Sequence, residues 1–259
     1  MDQAPRIDVN CLWGHWPFRH IPRDSFADLR RRHLACGIHT GYIASLNSIF
    51  YADPLEGEAE LYTQIRGSGY WQIQTIDPLH QAGQDIQIGL ERFQIAGVRI
   101  YPGYHGFGLL DPAVAALLAI LEKRRLPLLL PLRMEDERLD HLIRPRPVDL
   151  DELGDFLKAN TNRTIVLLSV RLAEIEQLKP VIRSGRRICV DTSGLKDQLY
   201  SVEKAVAAIG AEHVLYGSLS PLYSLQSTVL SVEQATLTPA EKQAIWSGNA
   251  MDLMALPPR

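Results

Sequence analysis

The chain has 259 residues, of which 46% are hydrophobic and 22% charged, and its formal net charge is −3. This is the composition of a globular protein with enough chain for a large buried core. Because no basic patch is visible, we predict no nucleic-acid partner. Because no run approaches about 20 apolar residues, we predict no membrane span. The first ten residues contain no long apolar stretch, so no signal peptide is expected.

Eight short apolar runs along the chain are typical of buried β-strands, and helical stretches separate them. The runs are RIDVN from Arg6, HTGYIA from His39, WQIQTI from Trp71, GVRIY from Gly97, PLLLP from Pro127, TIVLLS from Thr164, RICVD from Arg187 and HVLYG from His213. Eight strand–helix units in about 250 residues predict a closed parallel (β/α)₈ barrel. We therefore predict an α/β protein with a single TIM-barrel domain over residues 1–259. An open doubly wound sheet would usually have a glycine-rich first turn, which NCLWGHWPF is not.

The helical stretches carry their own end signals. Asp111 followed by Pro112 predicts a helix start, and Thr238 predicts another. Asn160 and Gly210 predict helix ends, because both residue types tolerate left-handed backbone geometry.

Two long insertions stand out, at residues 46–57 after the second strand and 133–147 after the fifth. Both follow the carboxyl end of a strand, where barrels of this kind build their sites. The three cysteines, Cys11, Cys36 and Cys189, show no CxxC spacing and are odd in number, which argues against a disulfide framework. We predict reduced thiols in a cytoplasmic protein.

The last third of the chain carries a family resemblance. HVLYGSLSP from His213, followed by LTPAEKQAIWSGNAMDLM, resembles the end of the amidohydrolase-related (amidohydrolase 2) family of the amidohydrolase superfamily. In that family the eighth strand continues as Gly-Ser-Asp-x-Pro and the final helix carries Gly-Asn-Ala. IDV at Ile7, GVRIYP at Gly97 and ICVDTSG at Ile188 match in the same order. The resemblance implies a TIM barrel of the metal-dependent-hydrolase type, with hydrolase or carboxy-lyase activity on small carboxylated compounds.

The family's metal ligands do not carry over. Its His-x-His falls on Asn10 and Leu12, the fifth-strand histidine near Pro131, the sixth-strand histidine near Ser169, and the eighth-strand aspartate on Leu219. A zinc or manganese site needs three or four His, Asp, Glu or Cys ligands. We therefore predict a divergent member without the metal centre, with no metal and no cofactor.

Strand alternation predicts which side chains enter the barrel. The predicted inward residues are Asp8, Asn10, Leu12, Arg99, Tyr101, Leu129, Pro131, Arg133, Cys189, Asp191 and Ser193, and the loops add His15, Trp16, Arg19, Tyr104 and His105. An inward arginine is costly unless it is paired. Arg99 therefore either pairs with Asp8 or Asp191, or joins Arg133 in receiving an anion such as a carboxylate.

Two functions remain open from the sequence. In the first, a metal-independent hydrolase or decarboxylase uses His15 or His105 as the base and Tyr101 to stabilise an oxyanion. Its substrate-binding residues would be Arg99, Arg133, Asp191 and Ser193. In the second, a non-catalytic barrel, or pseudoenzyme, binds a small molecule or a partner. Polar groups converging on an open pocket would favour the first function, and a mouth plugged by Trp16 and Tyr104 the second. The sequence leaves a homo-oligomer open.

Overall fold

The protein is described by a computed structural model that covers residues 5–22, 25–136, 144–185 and 187–254. Eight strands form one sheet in chain order, and each is parallel to the next. The strands are β1 (Arg6–Trp13), β2 (Ile38–Ser45), β3 (Trp71–Thr75), β4 (Gly97–Arg99), β5 (Leu128–Pro131), β6 (Ile165–Leu168), β7 (Ile188–Asp191) and β8 (Val214–Leu215). All eight predicted strands are confirmed.

Backbone hydrogen bonds between β1 and the β8 region close the barrel. The amide of Val9 donates to the carbonyl of Tyr216 at 2.9 Å, and the amide of Leu219 donates to the carbonyl of Asn10 at 2.7 Å. Closure leaves no free sheet edge at this seam. The (β/α)₈ prediction is therefore confirmed.

The helices lie between and after the strands. They are α1 (Phe26–Ala35), α2 (Pro54–Ile65), α3 (Ala82–Ile88), α4 (Pro102–His105), α5 (Pro112–Arg124), α6 (Leu150–Ala159), α7 (Leu172–Ser184), α8 (Ser201–Ile209), α9 (Leu225–Glu233), α10 (Pro239–Gln243) and α11 (Asn249–Leu253). Shorter 3₁₀ turns span Asn47–Ile49, Thr192–Gly194 and Ala211–His213, and π-helical turns span Gly89–Phe93 and Ala244–Gly248. Within the described ranges, no helix combines the length and apolarity needed to cross a bilayer.

The predicted helix ends are observed. Asp111 caps α5 by accepting a hydrogen bond from the Ala113 amide at 2.8 Å. Gly210 ends α8 with a φ of +90°. Asn160 ends α6 outside the left-handed region, and its side-chain amide donates to the carbonyl of Phe156 at 2.7 Å.

Apolar side chains fill two layers. Inside the barrel, Leu12, Leu129 and Leu168 belong to one fully buried cluster. Outside it, Val98 and Ile100 pack in the larger cluster between the sheet and the helices. Fully burying one such side chain contributes roughly 1.5–3 kcal/mol. Because Val98 and Ile100 pack on the helix side of the sheet and Arg99 contacts Asn10 inside the barrel, the alternation predicted for β4 is confirmed.

A bulge in β1 makes the prediction for Asp8 wrong. Asp8 pairs with Gly41 and Cys11 with Ile43, so one strand advances three residues while its partner advances two. An extra residue reverses the side-chain alternation on the far side of a bulge. Asn10 still faces into the barrel, but Asp8 faces α1, where its Oδ2 lies 3.3 Å from Nε2 of His33.

Candidate functional site

Arg99 lies at the centre of the barrel and is fully buried. Its Nη2 donates to Oδ1 of Asn10 at 3.1 Å, while Nε and Nη1 have no hydrogen-bond partner among the described residues. The predicted pairing of Arg99 with Asp8 or Asp191 is wrong. Asn10 stands between Arg99 and Asp191, and the bulge directs Asp8 towards α1.

Asp191 organises the neighbouring strand ends. It accepts hydrogen bonds from Nδ2 of Asn10 at 2.7 Å, the amide of Ser169 at 2.7 Å and Oγ of Ser193 at 3.0 Å. Burial raises the pKa of this carboxyl to about 6, and the three hydrogen bonds oppose the rise. Asp191 and Ser193 are fully buried. Both form hydrogen bonds with Ser169, so their role is to hold Ser169 in position.

The predicted oxyanion residue Tyr101 is buried as well. Its hydroxyl makes no hydrogen bond within the part of the chain that the structure describes. Burial raises the pKa of this phenol, and the nearby Arg99 and Thr75 oppose that rise.

Aromatic rings close the mouth along the barrel axis. Trp16 is only 2% exposed, and its ring packs edge-on against Phe18 at 5.1 Å, Phe50 at 5.6 Å and Tyr104 at 6.3 Å. Contacts of this kind hold aromatic groups together beyond their burial alone. This part of the mouth is the plug that the sequence associates with a non-catalytic barrel.

The two predicted catalytic histidines both contact the segment after β2, and they differ in exposure. A Cβ on Gly14, whose φ is +117°, would lie 2.8 Å from Oδ1 of Asn47, so the loop after β1 packs tightly there. The next residue, His15, has an exposed side chain. His105 is tied down through Nε2, 3.1 Å from the carbonyl oxygen of Ile49.

An open cavity lies to one side of this plug, at the carboxyl ends of β5, β6 and β7. Its volume is about 700 Å³, within the range of small-molecule sites. Its walls combine three cationic and three acidic side chains with a tyrosine ring. The lining residues are Arg133, Glu135, Asp136, Ser169, Arg171, Gly194, Lys196, Asp197 and Tyr223.

Arg133, a predicted substrate-binding residue, is found in the cavity wall. Its Nη1 donates to the Ser169 carbonyl at 2.5 Å and to Oε2 of Glu174 at 2.9 Å, and its Nη2 pairs with Oε1 of Glu174. Two N–H groups on one carboxylate fix the guanidinium in place. Arg19, placed in the mouth by the sequence, pairs with Glu135 at 2.5 Å.

The sequence analysis missed Lys196, Arg171 and Tyr223. Burial lowers the pKa of the Lys196 ammonium to about 8, and the charges of Arg171, Arg133 and Arg19 lower it further, whereas Asp136 opposes them. Its Nζ lies over the Tyr223 ring. These residues follow the ends of the sixth, seventh and eighth strands, and that position was the available signal.

The positions that the resemblance assigns to metal ligands hold no suitable donor set. Leu12, Pro131 and Leu219 have no ligating side-chain atom, and both amide atoms of Asn10 are hydrogen-bonded. Oγ of Ser169 lies 2.9 Å from Oγ of Ser193. Neutral amide and hydroxyl groups do not make the His, Asp, Glu or Cys set of a zinc site.

One group of three metal-type ligands occurs among the described residues, and it lies elsewhere. Asp8, Cys11 and His33 bring one ligand atom each to within 4.8 Å of one another, fully buried between β1 and α1. Asp8 also accepts hydrogen bonds from the amide and hydroxyl of Ser218, and Nδ1 of His33 is 2.8 Å from the Tyr70 hydroxyl. These hydrogen bonds explain how the polar side chains of Asp8 and His33 are accommodated in a buried position.

No family model matches the sequence. No curated protein matches it either. Solved structures do share the fold. A 2,6-dihydroxybenzoate decarboxylase from Rhizobium is 14% identical, with a TM-score of 0.70 over 97% of this chain and 99% of the other. An uncharacterized TIM-barrel protein from Bordetella bronchiseptica is 15% identical, with a TM-score of 0.76 over 97% and 99%. A dihydroxybenzoic acid decarboxylase from Polaromonas, solved with bound manganese and 2-nitroresorcinol, is 13% identical, with a TM-score of 0.72 over 97% of both chains.

Proposed function

We propose that the protein binds a small carboxylated compound in the cavity beside β5, β6 and β7, and acts on it as a metal-independent hydrolase or decarboxylase. We further infer that it is a divergent relative of the amidohydrolase-related family. The order of the strand-end motifs and the shared fold of the dihydroxybenzoate decarboxylases support this inference. Those enzymes act on single-ring aromatic acids, a size that suits a cavity of about 700 Å³.

The cavity itself is the observation that carries the proposal. It is open to solvent, and it places Arg133, Arg171 and Lys196 around one volume. Cationic donors in a partly desolvated cavity recognise a carboxylate by charge-assisted hydrogen bonds. Arg99, behind the floor with no carboxylate partner among the described residues, adds a fixed positive charge. Asp191 and Ser193 hold the floor residue Ser169 in place.

The missing donor set supports a metal-independent reaction. A cation placed beside the Asn10 side chain would meet the positive charge of Arg99, and Asp191, the carboxylate that contacts this side chain, already accepts three hydrogen bonds. We therefore assign no step to a bound metal. The site holds its ligand through the cationic groups, and the aromatic plug of Trp16 and Tyr104 excludes water from the axis.

A second candidate is a binding barrel without catalysis. The specific observation in its favour is that His15, His105 and Tyr101 do not line the cavity. A ligand beside Arg133 would therefore be surrounded by other residues than these predicted catalytic groups. A binding barrel would share the carboxylate recognition and would lack turnover.

Calorimetric titration with 2,6-dihydroxybenzoate and with resorcinol tests the shared part of both candidates. Resorcinol has the same ring and hydroxyl groups but no carboxylate. We expect the acid to bind and resorcinol to bind at least about tenfold more weakly, as the loss of a charged hydrogen bond implies. Equal binding of the two compounds would overturn the proposal.

Arg171→Met is the matched variant for this titration. This substitution should lower the affinity for the acid about tenfold and leave the affinity for resorcinol unchanged, because Arg171 lines the cavity. Arg183→Met, which removes an exposed arginine of helix α7, the helix that Arg171 precedes, should change neither affinity. Turnover of the bound acid in the presence of EDTA identifies a metal-independent enzyme, whereas tight binding without turnover identifies the binding barrel.

A further inference from the structure

Lys196 is an exposed lysine whose side chain lines the open cavity. It follows the 3₁₀ turn Thr192–Gly194 after β7, and its Nζ lies over the Tyr223 ring. No carboxylate within the described ranges forms an ion pair with it at 4.0 Å or less. Among the described residues, the Lys196 amine therefore lines the cavity without an ion-pair partner.

The surroundings of Lys196 favour its neutral form. Desolvation in the cavity wall is the largest effect that lowers its pKa, and the like charges of Arg171, Arg133 and Arg19 act in the same direction. Asp136 is the opposing acid. With a pKa of about 8, about a tenth of this amine is unprotonated at pH 7, compared with fewer than about one in a thousand for an ordinary lysine. Desolvation next to other cationic groups is one of the ways in which proteins make lysine nucleophilic.

We propose that Lys196 is a nucleophile that forms an iminium with the carbonyl carbon of a small oxo acid, whose carboxylate lies towards Arg133 and Arg171. This inference rests on the proposed function, because it needs the cavity to accept a carboxylated compound. It narrows that function to substrates that carry both a carbonyl and a carboxylate. The chemistry is then supplied by an amine in the cavity, and the buried Tyr101 and the two histidines have no role in it.

The step is balanced by protons and water alone. The amine electron pair forms a C–N bond to the carbonyl carbon, and the carbonyl oxygen takes up protons and leaves as water. The product is a protonated C=N bond to Nζ. The cavity wall also carries the carboxylates Glu135, Asp136 and Asp197, and carboxylates of this kind exchange protons with water during such a step. In a 3-oxo acid, the iminium would accept the electron pair of the breaking C–C bond as CO₂ departs, and water would later release the amine.

Borohydride trapping tests the proposal. The full-length protein is incubated with pyruvate, reduced with sodium borohydride, digested and mapped by mass spectrometry. We expect one adduct, equal in mass to pyruvate less one oxygen atom, on the peptide that contains Lys196. Lactate, which has a hydroxyl group in place of the ketone of pyruvate, should give no adduct.

Two substitutions make the result specific. Lys196→Met should abolish the adduct, and Lys196→Arg should do the same while it keeps the charge. Lys204→Met, which removes an exposed lysine in the next helix α8, should leave the adduct intact. Thermal unfolding of each variant confirms that it is folded.

The possible failures are distinguishable. If 2,6-dihydroxybenzoate binds but pyruvate leaves Lys196 unlabelled, the iminium proposal is overturned and the proposed function stands. If neither compound engages the cavity, both fall. Equal labelling of Lys196 and the exposed lysines would also overturn the iminium proposal, because it would reflect ordinary amine chemistry.

Discussion

Nη2 of Arg99 donates a hydrogen bond to Oδ1 of Asn10 at 3.1 Å, and Nδ2 of the same Asn10 side chain donates to Oδ2 of Asp191 at 2.7 Å. A neutral side chain thus separates a buried guanidinium from the nearest carboxylate on its own side of the barrel. Asn10 stands where the resemblance places a metal-binding histidine. The arrangement leaves a positive charge at the centre of the barrel with a single hydrogen bond to a described residue.

Arg99→Met should change the free energy of unfolding by less than about 1 kcal/mol. The loss of one hydrogen bond to Asn10 costs about that much, and the removal of a buried, unpaired charge offsets it. Urea unfolding at pH 7 measures the difference, with the exposed Arg31→Met as control. A fall of 3–5 kcal/mol is typical of a broken buried ion pair and would show that Arg99 has a carboxylate partner in solution.

Glu58 should make the protein less stable as the pH rises. It is fully buried on α2, accepts from Nε2 of Gln72 at 2.7 Å and from the amide of Thr75 at 3.0 Å, and burial raises its pKa from 4.5 to about 7. Between those values the folded state retains a proton that the unfolded chain releases. The free energy of unfolding should therefore fall by about 3 kcal/mol from pH 4.5 to pH 7 through this group.

Glu58→Gln isolates this effect. Chemical unfolding of the variant from pH 4 to pH 8 should show a flatter pH dependence than the parent, with the largest gain above pH 7. Glu56→Gln, an exposed acid on the same helix, should keep the parent's profile. A parent and a Glu58→Gln variant with the same profile would mean that Glu58 is ionised in the folded protein.

Leu219→Asp should destabilise the protein by a few kcal/mol, because an unpaired carboxylate would be buried on an apolar floor. Leu219 is fully buried with a φ of +52°. Leu219→Asn is the matched control, since asparagine tolerates this backbone region and carries no charge. Thermal unfolding should rank the parent above Leu219→Asn and Leu219→Asp lowest at pH 7, and added manganese should rescue neither. An unchanged midpoint for Leu219→Asp would contradict the burial.

Elemental analysis of the purified, dialysed protein should find no stoichiometric zinc or manganese inside the barrel. Leu12, Pro131 and Leu219 supply no ligand there. Cys11→Ser is the control, because Cys11 belongs to the separate cluster between β1 and α1. A metal retained in that variant would lie at another site and, if located inside the barrel, would contradict the prediction.

The strand pattern allowed much of the fold to be predicted. Apolar runs separated by capped helices predict a parallel sheet covered on its outer face, and eight of them without a glycine-rich first turn favour a closed barrel over an open sheet. The side-chain periodicity of a strand directed Arg99 inwards. Periodicity failed at Asp8, because a bulge is set by how two strands pair and leaves no clear mark in the apolar pattern.

The candidate site depended more strongly on tertiary structure. The sequence by itself determined that Leu12, Pro131 and Leu219 occupy positions to which the resemblance assigns metal ligands, and that arginines, histidines and tyrosines follow the predicted strands. Packing decided which of these groups meet: Trp16 and its aromatic neighbours fill the axis, His105 is tied to a backbone carbonyl, and Lys196 faces the remaining cavity. Loop side chains have no fixed period relative to the sheet, so their neighbours, their burial and their pKa values are set only when the loops after different strands pack together.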